Sequence, residues 1–90
     1  MLKDVTAVRP LDGYQLYLRF EDGAEGVVDL ATQISFHGVF APLKDPAYFR
    51  QVRVDSELGT VTWPNGADLD PDVLYAAATG VPVSIDAVRG

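Results

Sequence analysis

Asp12-Gly-Tyr-Gln-Leu-Tyr-Leu-Arg-Phe-Glu-Asp-Gly23 sets the architecture of the N-terminal part of the chain. It begins and ends on Asp-Gly, a pair favoured where a tight hairpin turn needs positive φ. Between the two pairs lies a run of period two: Leu16, Leu18 and Phe20 fall on one face, Gln15, Tyr17 and Arg19 on the other. This alternation predicts a half-buried strand with Tyr17 on its open side. The flanking connections are too short for a crossover, so both neighbouring strands must run antiparallel to it. Upstream, residues 3–11 alternate in part, with Val5, Ala7 and by extension Arg9 on one side and Asp4, Thr6 and Val8 on the other. Downstream, residues 24–30 read as the returning strand, and Gly26 is the expected place of a bulge or bend. The result is a three-stranded antiparallel meander over residues 3–30.

Strict alternation is lost between residues 31 and 50. Residues 31–34 are expected to form a short helical turn capped by Asp29, and Phe36, Val39, Phe40 and Leu43 to cover one end of the sheet. Asp45-Pro46 is a helix start, with Asp as N-cap and Pro where a missing N–H has no consequence. The turn of helix that follows places Phe49 inward. Residues 51–55 and 60–63 alternate again around a turn at 56–59, which predicts a second hairpin. Val52 and Val54 point inward there and Arg53 outward, while Val61 and Trp63 share one face. Asp70-Pro71 repeats the helix start, Asp72 suits the positive end of the helix dipole, and Gly80 ends the helix. Residues 81–85 are expected as an edge strand or an ordered arm, kept from a sheet centre by Pro82. The fold class is therefore α+β: a small antiparallel sheet, made of the N-terminal meander plus a second hairpin, with two or three short helices.

A chain of 90 residues has the length of a single domain. Its apolar fraction of 48% and charged fraction of 22% are those of a globular protein. With no cysteine, a disulfide framework, a thiolate metal site and a cysteine nucleophile are all excluded. Thirteen acidic against seven basic residues give a net charge of −6, which repels phosphate backbones, so direct nucleic-acid binding is not expected. The N-terminus lacks a signal-peptide pattern and no apolar run approaches the ~20 residues that span a bilayer, so a cytoplasmic location is expected.

No constellation points to catalysis, to a cofactor or to a metal. Asp68, Asp70 and Asp72 alternate like the opening of a calcium-binding loop, but Val73 stands where that loop needs glycine and Thr79 where it needs glutamate. His37 is the only histidine, and Ser35, Ser56 and Ser84 lack the setting of an activated nucleophile. Residues 23–26 lack the spacing and the lysine of a phosphate loop. The expectation is a protein that is not an enzyme. Arg19 and Arg53 are read as sharing the open sheet face with Tyr17, a basic–aromatic grouping able to contact nucleic acid, although a solvated face accounts for it more simply.

Val39-Phe-Ala-Pro-Leu-Lys-Asp-Pro-Ala-Tyr-Phe49, Val52-Arg-Val-Asp55 and Gly59-Thr-Val-Thr-Trp-Pro-Asn-Gly-Ala-Asp-Leu-Asp-Pro-Asp-Val-Leu-Tyr75 form one recognisable pattern. Together with Leu16-x-Leu-x-Phe20, Asp22-Gly23 and Val28-Asp-Leu30, they resemble the bacterial family called domain of unknown function 2442, over about residues 2–78. The resemblance implies a small α+β fold without catalytic residues. It also implies a second small protein as companion, in what look like toxin–antitoxin pairs. Some members carry a C-terminal helix-turn-helix domain, which is not found in the sequence up to Gly90. The expected function is a protein-interaction module, the antitoxin-like partner in a two-protein pair. The alternative is a small regulatory domain associated with nucleic acid through a partner. An open sheet edge would also allow a homodimer. The candidate partner contacts are Trp63, Asn65, Asp68 and Tyr17; Asn65 and Asp68 are the polar residues of their corner that helix capping leaves unexplained.

Overall fold

The two Asp-Gly turns build the meander they predict. The computed structural model describes residues 4–80, so the arm or strand expected at 81–85 lies outside the described residues. Strands β1 (Val5–Pro10), β2 (Gln15–Phe20) and β3 (Glu25–Asp29) form an antiparallel sheet in the order β1-β2-β3. Gly13 and Gly23 supply the positive φ of their turns, 65° and 89°. Leu16, Leu18 and Phe20 are buried, as their period requires.

β1 departs from uniform alternation. Its register shifts between Val5 and Ala7, so Val5 pairs with Phe20 and Val8 with Leu18, both towards the core. Ala7 and Arg9 pair with Arg19 and Tyr17 on the open face. The extra residue, Thr6, resets the alternation as a bulge does, and so Val8 does not share a face with Thr6. In β3 no bulge forms at Gly26, which keeps register opposite Leu18. A Cβ there would lie 2.1 Å from the Ala78 carbonyl oxygen, so the glycine admits the close approach of a helix.

After β3, Leu30–Thr32 forms one 3-10 turn, with the Ala31 N–H donating to the Asp29 carboxylate at 3.0 Å. Gly38–Lys44 is a longer 3-10 helix rather than an irregular link. Its three-residue period puts Phe40 and Leu43 on one side, against the core, and turns Val39 outward to 49% exposure. Helix α1 (Pro46–Phe49) is capped by Asp45 and buries Phe49.

Strands β4 (Arg53–Asp55) and β5 (Thr60–Thr62) pair as a separate hairpin, with Val54 opposite Val61. It is tied to β1 by the Val5 N–H donating to the Gly59 carbonyl at 2.9 Å. Helix α2 (Pro71–Thr79) starts at Asp70, whose carboxylate accepts from the Asp72 N–H at 2.9 Å, and ends at Gly80 with φ 75°. Leu74 anchors α2 in the core, and Tyr75 meets Phe20 edge-to-face at 4.9 Å. Burial of such large apolar side chains stabilises by about 1.5–3 kcal/mol each.

Candidate functional site

Two places gather the polar and aromatic residues that the sequence singles out. The first is the corner that follows β5. Trp63 is 1% exposed, and its indole N–H donates to the Phe49 carbonyl at 3.0 Å. A buried indole needs such a partner. Trp63 is therefore a core residue and offers a partner no surface, which corrects its place among the expected contacts.

Asn65 has an internal task as well. Its Nδ2 donates to the Val39 carbonyl at 2.9 Å, its Oδ1 accepts from the Ala67 N–H at 3.1 Å, and its own N–H donates to the Tyr48 hydroxyl at 2.8 Å. Asn65 thus clasps the 3-10 helix and α1 to the corner. The chain then returns along β5, with Asp68 bridging Thr62. The Thr60 hydroxyl donates to the Leu69 carbonyl at 2.6 Å and the Thr62 hydroxyl to the Ala67 carbonyl at 2.8 Å. Both threonines are buried by this return. Asn65 and Asp68 are both exposed, but the Asn65 amide is engaged in hydrogen bonds, whereas the Asp68 carboxylate has none among the described residues.

The second place is the open face of the meander. Across the strands, Arg9, Tyr17 and Val27 form one row and Ala7, Arg19 and Glu25 the next. The Arg9 guanidinium carbon sits 5.5 Å from the Tyr17 ring centroid, within cation–π range. The Tyr17 hydroxyl donates to the Glu25 carboxylate. That hydrogen bond, with partial desolvation and the charge of Glu25, raises the Tyr17 phenol above its ordinary value. Tyr75 is raised in the same way by its hydrogen bond to Asp22, at 2.7 Å.

Tyr17 is thus held from both sides, and Val27 beside it is 50% exposed. Arg53 lies on the β4–β5 hairpin, so the expected grouping of Arg19, Arg53 and Tyr17 on one sheet face is not what forms. Arg9 takes that place, because the bulge at Thr6 turns it to the open face. Counting the register outward from the Asp22-Gly23 turn would have found Glu25 and Val27 beside Arg19 and Tyr17. Among the described residues, no group of three or more His, Asp or Glu is placed to hold a metal ion, and no helix is long and apolar enough to cross a membrane.

An α+β fold of a meander, a hairpin and two α-helices, with one sheet face left open, defines the class. The chain belongs to the family described as "Protein of unknown function (DUF2442)", which it matches over residues 5–80. No curated protein and no solved structure matches it.

Proposed function

We propose that the protein is a protein-interaction module, the antitoxin-like member of a bacterial two-protein pair. The open face of the meander carries this reading: Arg9, Tyr17, Arg19, Glu25 and Val27 share it, and all but the half-buried Tyr17 are exposed. Tyrosine and arginine are enriched in the energetic centres of interfaces. Here Tyr17 is already held by Arg9 and Glu25, so less side-chain freedom is lost on binding. Both charge signs flank the apolar Val27, and such a pattern selects a partner by complementarity.

The test is co-expression with the product of the adjacent gene, followed by size exclusion and a growth assay. A stable complex and relief of growth inhibition are expected, and Tyr17→Ala is expected to weaken the complex. Finding neither complex nor relief would overturn the reading. Retention of labelled DNA by the complex but not by the chain alone, falling as salt rises, would favour the alternative of a regulatory domain associated with nucleic acid through its partner.

A further inference from the structure

β3 pairs with β2 alone and is an edge of its sheet. The Phe20 N–H donates to the Ala24 carbonyl at 2.8 Å and the Leu30 N–H to the Tyr14 carbonyl at 2.9 Å. Alternation along an antiparallel ladder therefore turns the backbone groups of Ala24, Gly26, Val28 and Leu30 towards β2. Those of Glu25, Val27 and Asp29 point away. The Thr32 hydroxyl takes the Asp29 carbonyl at 2.8 Å. The N–H and C=O of Glu25 and Val27, and the N–H of Asp29, have no partner among the described residues. The C-terminal turn of α2 rests on this strand at Gly26, so a chain laid along the edge would run beside the helix.

We infer that β3 receives an extended basic segment of the protein partner as a fourth strand, an inference that rests on the interaction reading above. Main-chain hydrogen bonds give such strand addition its affinity, and the alternate side chains its specificity. The side chains that the edge presents on the open face are Glu25, Val27 and Asp29: acid, apolar, acid. Opposite charges directly across a strand pair stabilise it and like charges oppose it. The matching segment therefore carries Lys or Arg on either side of an apolar residue. A second copy does not fit. Antiparallel pairing about Val27 would set Glu25 of each chain against Asp29 of the other, and charges on an edge are a usual defence against self-pairing.

The test is an amide-resolved NMR titration with the peptide Thr-Lys-Thr-Val-Thr-Lys-Thr, whose Lys, Val and Lys share one face as Glu25, Val27 and Asp29 do, compared with one in which proline replaces the valine. The proline peptide keeps the charge but cannot pair as a strand. Shifts and exchange protection at the Glu25 and Val27 amides are expected with the first peptide only. Glu25→Lys, which reverses a charge pair, and Val27→Pro, which removes an outward N–H and no bond to β2, should each weaken binding about tenfold. Thermal unfolding checks that both variants fold; if Val27→Pro does not, amide protection in the unmodified chain still decides. Equal binding of the two peptides would reduce the effect to net charge and overturn the inference. Protection of these amides in the free protein, or a concentration-dependent dimer through β3, would also overturn it. A complex with the adjacent gene product that survives both substitutions removes the edge while leaving the interaction module intact. No complex with the unmodified chain removes the module itself.

Discussion

Gly26→Ala sets two effects of one methyl group against each other. Inside a strand, alanine restricts the unfolded chain more than glycine does, which favours folding by about 0.5–1 kcal/mol. Gly26 is not among the positive-φ glycines, so its backbone accepts alanine. Against this gain, the new Cβ falls 2.1 Å from the Ala78 oxygen, 2.8 Å from the Ala78 carbonyl carbon and 3.1 Å from its Cβ. Ordinary carbon contacts lie at roughly 3.5–4.0 Å, so α2 would have to retreat by about an ångström. The obstructing atoms are backbone, and α2 is held by buried Leu74, by Tyr75 on Phe20 and by the Asp70 cap. Overpacking of this kind costs about 1–3 kcal/mol, and a backbone neighbour favours the upper half of that range. The clash wins, with a net loss of about 1–2 kcal/mol. For a chain of this size each kcal/mol lowers Tm by about 4–8 °C. Urea unfolding should show a lower midpoint at unchanged slope. A variant as stable as the parent would refute the close approach of α2 to β3.

Other expectations follow from the same geometry. Asn65→Ala removes the bonds to Val39 and Ala67 and should lower stability by about 1–2 kcal/mol in urea unfolding. Thr60→Val keeps the shape but leaves the Leu69 carbonyl without its donor, with a similar loss expected from thermal melts. Asp70→Ala should cost about 1 kcal/mol and fray the start of α2, seen as faster amide exchange at Asp72. Tyr17 should ionise above the usual tyrosine value of about 10 and return towards it in Glu25→Gln, read by ultraviolet titration. Because the folded-state value is raised, the stability this bond contributes is fully present below pH ~10 and fades as pH rises through the folded-state value.

Much of the candidate site was not legible as such. Tyr17 was correctly placed on the open side by the period of β2, because that period is a property of neighbouring residues. Its companions were not: a single bulge residue, Thr6, decides that Arg9 rather than Arg53 joins it. Asn65 reads as a contact residue in the sequence because helix capping does not account for it, and Trp63 is named beside it at the same corner. Their partners, Phe49, Val39 and Tyr48, lie in segments far away in the chain.

Local patterns along the chain suffice for β2, both Asp-Gly turns, the Asp-Pro helix starts at Asp45 and Asp70, the stop at Gly80 and membership of the family. Each of the structural features depends on side-chain period, on φ preference or on a cap reaching two residues along the chain, so its energy is local. Packing in three dimensions explains why position 26 is glycine, what Asn65 holds, why Thr60 and Thr62 are buried and which residues the open face gathers. Those depend on which distant backbone comes within van der Waals or hydrogen-bond reach. That distance is set by the packing of the whole core, and no pattern along the chain encodes it.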